Sequence, residues 1–242
     1  MINEAIVLAG GLGTRLKTAV ADLPKCLASV ADRPFLAYLL DYAKKQGIEK
    51  FIFALGYKTE LIETFVKQYL PEGSYIFSVE EEPLGTGGAI YKACKLVSSV
   101  DTLVLNADTF FGVSFLNLSI VHELRKAACT LSLKPMKSFE RYGAVDLERQ
   151  VITGFSEKKH YPSGLINGGV YALAAEEFIQ KSFPPAFSFE KDYLEKEYRG
   201  GHICGLISDA YFIDIGIPED YERAQRELVS ALAVDRWRLA AV

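Results

Sequence analysis

Residues 5–27 read AIVLAGGLGTRLKTAVADLPKCL, and this stretch decides the fold. The apolar run Ala5-Ile6-Val7-Leu8-Ala9 enters Gly10-Gly11-Leu12-Gly13-Thr14-Arg15, and a polar connection leads on to Leu23-Pro24-Lys25. The pattern is that of a strand feeding a phosphate-handling loop. Glycine lets backbone N–H groups approach a phosphate without Cβ obstruction, while Arg15 and Lys25 add charges that can follow negative charge as it moves during a reaction. Spacing excludes two familiar glycine loops. A Walker A loop needs Lys-Ser/Thr where this chain has Arg-Leu-Lys, and the dinucleotide fingerprint needs a third glycine where Leu16 stands.

Working outward, the 242 residues are 50% hydrophobic and 24% charged, enough for one substantial core. The formal net charge of -4 argues against a nucleic-acid footprint, so the cations that matter are expected to be local, as in a phosphate pocket. No apolar run reaches the ~18 residues of a membrane span, and Glu4 stands where a signal peptide would be basic. A cytoplasmic enzyme is expected. Cys26, Cys94, Cys129 and Cys204 show no C-x-x-C pairing and read as reduced structural thiols, Cys26 as a small buried side chain rather than a nucleophile. His122, His160 and His202 are isolated and suggest neither a metal site nor a triad.

Beyond the loop, strand and helix alternate. Residues 34–47 (PFLAYLLDYAKKQG) open with Pro, close with Gly and carry apolar residues at helical spacing. Residues 50–56 read as a buried strand, 59–69 as an amphipathic helix, 75–79 as a strand, and a further helix is expected from the Gly85 turn to about Leu96. Such alternation builds right-handed βαβ units and a mostly parallel sheet, which binds ligands beyond the carboxyl ends of its strands. Each candidate motif directly follows a predicted strand. Glu80-Glu81-Glu82-Pro83-Leu84-Gly85-Thr86 turns into a helix, and taken alone its acids read as a solvated loop. Residues 102–107 read as a hydrophobic strand that delivers Asp108-Thr109 at its end; a carboxylate there could cap a helix, but Phe110-Phe111 do not begin an obvious one. Residues 113–126 read as a helix and 129–133 as a strand, after which short alternating runs between charged turns suggest antiparallel ribbons, a small lobe grafted on the sheet. Ser188 reads as an N-cap of a helix from Phe187 to Leu194.

The pattern L-A-G-G-x-G-T-R-L followed by P-K resembles the signature of the sugar-1-phosphate nucleotidyltransferases, and further matching motifs keep the family's order from Ala5 to Tyr221. The resemblance implies a Rossmann-like three-layer α/β domain, with a nucleotide-binding part over about 1–135, an antiparallel sugar-binding part over about 136–215 and a closing helix over about 218–239. No hexapeptide repeats follow, so no left-handed β-helix is expected. In the family, Leu8, Ala9, Gly10, Gly11, Gly13 and Thr14 border the nucleotide, with Arg15 and Lys25 as the catalytic cations. The segment E-E-P-L-G-T matches the base loop of the family's guanylyltransferases, which places Glu80 on guanine with Gly85 and Thr86 beside it. Guanine offers adjacent N1–H and N2–H donors to a carboxylate, whereas uracil flanks one N–H with two carbonyls.

Asp108 and Asp214, the latter in D-I-G-x-P-E-D-Y, would hold Mg²⁺. On the sugar side the resemblance points to Gly143 of R-Y-G, Glu157 and Lys158 of F-x-E-K, where Lys159 replaces the usual Pro, and Asn167 of I-N-x-G-V-Y. Residues 187–192 are a secondary sugar-side candidate, and Glu219 and Asp220 read as helix-start acids. The motif combination is most similar to guanylyltransferases acting on heptose 1-phosphate. The implied partners are GTP and a sugar 1-phosphate, with mannose 1-phosphate, or UTP and dTTP in place of GTP, as alternatives. A non-catalytic nucleotide-sugar-binding subunit is the alternative of another class. Neither a nucleic acid nor a membrane is an expected partner, and a homo-oligomer is left open.

Overall fold

The computed structural model describes residues 1–11 and 23–233. β1 (Glu4–Leu8) is the strand that feeds the glycine loop. The chain is next described at a short 3-10 turn over Lys25–Leu27, followed by the hairpin β2 (Ser29–Val30) and β3 (Arg33–Pro34) and by α1 (Phe35–Lys45). Then β4 (Lys50–Leu55), α2 (Thr59–Tyr69), β5 (Tyr75–Val79), α3 (Gly85–Cys94) and β6 (Asp101–Asn106) complete the expected alternation, with α3 ending two residues early. β1 lies between β4 and β6 and runs parallel to both, and β5 extends the sheet beyond β4.

Alternation of side chains divides the core into two layers, as the period of two in a strand requires. Val7, Phe51, Phe53 and Leu105 face one side, packed with Leu36 and Leu39 of α1, Val66 of α2 and Leu228 of the last helix. Ile6, Ile52, Ala54 and Val104 face the other, with Ala89, Ile90 and Ala93 of α3. Strands apolar on both faces belong in the middle of such a sandwich.

The second half carries the expected helix, strand and antiparallel ribbons, with two strands longer than those of the first half. β7 (Thr109–Phe111) is a short strand, and α4 (Phe115–Arg125) begins after Ser114, whose side chain accepts the Asn117 N–H. β8 (Cys129–Phe139) and β11 (Tyr161–Ala174) are long, with β9 (Ala144–Glu148) and β10 (Val151–Ser156) between them in the chain. α5 (Ala175–Gln180), a π-helical turn over Phe189–Leu194 and α6 (Glu195–Glu197) precede β12 (Ile203–Ile207), β13 (Phe212–Asp214) and α7 (Pro218–Ala233).

The sheet of nine strands runs β5-β4-β1-β6-β11-β8-β12-β10-β9. β11 is antiparallel to both β6 and β8, while β12 is parallel to β8. The antiparallel ribbons are present and are joined to the central sheet: β10 pairs with β12, and β9 pairs with both β10 and β11. The reason is length. β11 has 14 residues against 5 or 6 in β1 and β4, so Val170–Ala174 pair with β6 while Leu165 and Ile166, beyond the end of that pairing, pair with β9. Ser188 caps the π-helical turn as expected, accepting the Lys191 N–H. The expected extension of the closing helix past Ala233 lies outside the described residues.

Candidate active site

The carboxyl ends of β1, β4 and β6 open onto a cavity of about 600 Å³. Leu8, Ala9, Gly10, Gly11, Lys25, Asp108, Glu80, Gly85 and Thr86 all line it, so the fold gathers most of the nucleotide-side residues read from the sequence. Arg15, Gly13 and Thr14 lie outside the described residues.

Two acids meet near the cavity because two short strands pair. β7 and β13 run antiparallel with Thr109 opposite Asp214, and the Ile215 N–H donates to the Asp108 carbonyl at 3.0 Å. Lys25 Nζ stands 3.3 Å from Asp108 Oδ2. Asp214 Oδ1 accepts the Gly216 N–H at 2.7 Å, and its Oδ2 accepts the Tyr142 hydroxyl at 3.3 Å. Burial, then the neighbouring Asp108 carboxylate, push the Asp214 acid above its ordinary range, although the Gly216 N–H, Arg141 and Lys25 pull the other way. Two neighbouring carboxylates whose like charges repel, with Asp108 lining the cavity, offer hard oxygens that suit an oxygen-coordinated divalent cation. Cys26, next to Lys25, is buried, and burial followed by Asp108 pushes its thiol up to about 12, in keeping with a structural side chain.

At the opposite side the acidic loop is folded by its own first residue. Glu80 Oε2 accepts the Leu84 N–H at 2.6 Å, and Oε1 lies over Gly10 and Gly56, 2.9 Å and 3.3 Å from where their Cβ atoms would stand. Glycine at both positions makes room for the carboxylate. Gly85, with φ of +69°, turns the chain into α3 against the Phe187 carbonyl. The α3 start is clamped to the 187–190 segment: the Gly87 N–H donates to the Phe187 carbonyl at 2.9 Å, the Phe189 N–H to Thr86 Oγ1 at 2.9 Å, and Thr86 Oγ1 to Glu190 Oε2 at 3.0 Å. Glu190, read only as part of a secondary sugar-side segment, therefore lines the nucleotide cavity together with Asn106.

The other sugar-side residues do not line this cavity. Glu157 and Lys158 are exposed on the turn after β10. Gly143 packs its Cα against β10, where a Cβ would stand 2.6 Å from the Ser156 carbonyl. Asn167 is bound within β11: its Nδ2 donates to the Tyr171 hydroxyl at 2.8 Å and its Oδ1 accepts the Gly169 N–H at 3.0 Å, across a break in the β8–β11 register.

Arg141 and Asp220 acquire a role that the sequence did not show. Arg141 Nη1 pairs closely with Asp220 Oδ2 while its Nη2 lies 3.7 Å from Asp214 Oδ2. Arg141 stands in the R-Y-G motif, but its partner is 79 positions away, so no local spacing reveals the pair. The Thr86–Glu190 bond spans 104 positions and is hidden for the same reason.

A cavity beyond the ends of parallel strands, lined by Lys25 and by the acids Glu80, Asp108 and Glu190, accords with what the sequence comparison shows. The nucleotidyl transferase family model matches residues 4–231, and the chain belongs to that family. More particularly, it is 48% identical over 225 residues to a D-glycero-alpha-D-manno-heptose 1-phosphate guanylyltransferase from Aneurinibacillus thermoaerophilus, covering 93% of this chain and 98% of that protein. A protein of the same description from Campylobacter jejuni is 43% identical over 219 residues, 90% of this chain and 96% of its own. Among solved structures, HddC from Yersinia pseudotuberculosis complexed with GMP-PN superposes with a TM-score of 0.82 at 35% identity, covering 94% of this chain and 100% of that one.

Proposed function

We propose that this enzyme transfers a guanylyl group from GTP to D-glycero-α-D-manno-heptose 1-phosphate, giving GDP-heptose and pyrophosphate. The observation that carries this reading is the pairing of β7 with β13, which brings Asp214 next to Asp108 and Lys25, two residues that line one cavity with Glu80. The relatives' descriptions support guanine and heptose.

In the reaction a phosphate oxygen of the sugar 1-phosphate attacks the α-phosphorus of GTP, and the bond to the β-phosphate oxygen breaks. Both reactants are highly charged, so the residues act by alignment and charge neutralisation. Asp108 and Asp214 would hold Mg²⁺, which supplies charge neutralisation on the phosphates when bound. Lys25, whose ammonium lies 3.3 Å from Asp108 Oδ2, exchanges that partner for the reacting phosphate, as its flexible stem allows. Arg15 is assigned to the departing pyrophosphate. Glu80 reads guanine N1–H and N2–H while its bond to Leu84 holds the loop closed, and the backbone at Leu8–Gly11, Gly13, Thr14, Gly85 and Thr86 borders the nucleotide.

The sugar enters from the side of β9 to β11. Glu157 receives sugar hydroxyls and Lys158 the sugar phosphate, both reaching in from their exposed turn. Gly143 and Asn167 act through the backbone they shape.

Coupled pyrophosphate release with GTP, Mg²⁺ and either heptose 1-phosphate or mannose 1-phosphate tests this, with UTP, dTTP and ATP in parallel. Heptose-dependent release with GTP is expected. Release with mannose 1-phosphate alone removes the heptose assignment, and a preference for UTP removes Glu80 as guanine reader. Binding of GDP-heptose without any release would make the chain a nucleotide-sugar sensor.

A further inference from the structure

The guanidinium of Arg141 sits between two acids of unequal hold. It is paired tightly with Asp220 Oδ2, while Asp214 Oδ2 is 3.7 Å from Nη2, too far for a good hydrogen bond but close enough for strong attraction. Asp220 is itself buried, 8% exposed at the first turn of α7, and is also held by Arg223 Nη1 at 3.1 Å. It is therefore a fixed anchor. The Arg141 side chain, about one-third exposed, can move; Asp214 is fixed by the Gly216 N–H and the Tyr142 hydroxyl. Lys25 and Arg141 thus stand as two built-in counter-ions, one on each acid of the pair.

We propose that Arg141 is a positioning residue that competes with a divalent cation for Asp214, and that Asp220 sets the strength of this competition by holding the guanidinium back. The inference rests on the reading of Asp108 and Asp214 as cation ligands. In the absence of a cation Arg141 offsets the repulsion between the two carboxylates. When a cation takes Asp214, the charge of Arg141 has another partner in Asp220, so exchange leaves neither Arg141 nor Asp214 unpaired. An interaction of this type makes the two substitutions act in opposite directions, which a residue needed only for folding would not do.

The test is Mn²⁺ binding to the nucleotide-free protein, read from water-proton relaxation and from the electron paramagnetic resonance of free Mn²⁺. Arg141→Met is expected to tighten binding by about five- to tenfold by removing the competitor. Asp220→Asn is expected to weaken it by a similar factor, because the freed guanidinium settles on Asp214. In the Arg141→Met background the Asp220 change should alter binding by less than about twofold. Equal or weaker binding in Arg141→Met, in a chain whose Mn²⁺ site is lost on Asp108→Asn or Asp214→Asn, overturns the inference alone. So does an Asp220 effect that persists undiminished without Arg141. A Mn²⁺ site that survives both Asp108→Asn and Asp214→Asn, or no site in any of the proteins at millimolar Mn²⁺, overturns the cation-ligand reading itself.

Discussion

Lys25→Met removes one positive charge and keeps most of the aliphatic stem. Lys25 Nζ and Asp108 Oδ2 are 3.3 Å apart, and unit charges at that distance attract by about 5 kcal/mol at an effective dielectric of about 20. Transfer of the ammonium to the reacting phosphate is favoured in the transition state only by the charge that develops there. Half an elementary charge at a similar distance is worth about 2.5 kcal/mol, or about 70-fold in rate. Loss of an oriented donor acts in the same direction, by about 10² or more in comparable sites. The expected result is a fall in kcat of about 10² with KM for GTP within a few-fold, measured by pyrophosphate release at saturating substrates and by single-turnover formation of the nucleotide sugar. Asp108 is one-third exposed and keeps contact with water, so the variant should melt within a few degrees of the parent. A folded Lys25→Met protein with kcat within about threefold of wild type would refute the role of this charge in the chemical step.

Glu80→Gln keeps an acceptor for the Leu84 N–H while removing the charge that faces guanine, so the GTP over UTP ratio of kcat/KM should drop by about tenfold with little change in melting temperature; an unchanged ratio would leave Glu80 with its loop-closing bond alone. Asp214 is raised above its ordinary value of 3.8 first by burial and then by Asp108. The folded state therefore binds the proton more tightly than the unfolded one, and cation-free stability falls as pH rises from about 3.8 through the raised value. Asp214→Asn should flatten that part of the stability curve and raise the neutral-pH melting temperature by about 2–4 °C without added cation, as calorimetry across pH would show; a lowered melting temperature would contradict the direction. The Cys26 thiol, pushed up to about 12, should resist an aromatic disulfide reagent at pH 8 until the protein unfolds. Rapid native-state labelling mapped to Cys26 by mass spectrometry would place it elsewhere.

Much of the fold was legible because its signals are local. The apolar run before Gly10, the Pro34 opening of α1, the amphipathic spacing of α2 and the Ser188 cap each depend on a few neighbouring residues, and the structure bears them out. Asp108 was legible as an acid at a strand end not followed by a helix; the structure places a short strand there. Asp214 was readable only through its motif. That antiparallel ribbons are grafted on the sheet was legible, but alternation within β9 and β10 says only that they are strands, not which edge they join.

The chain's local chemistry thus settles strand, loop, helix and the identity of its charged groups, because glycine freedom, capping and hydrophobic period act over one to four residues. Tertiary structure alone decides that Phe111 pairs with Phe212, that Thr86 meets Glu190, and that Arg141 lies between Asp214 and Asp220. The energy of each such contact belongs to neither segment by itself. It exists only when two distant stretches are brought into register by the burial of the core between them, and no periodicity in one stretch records the position of the other.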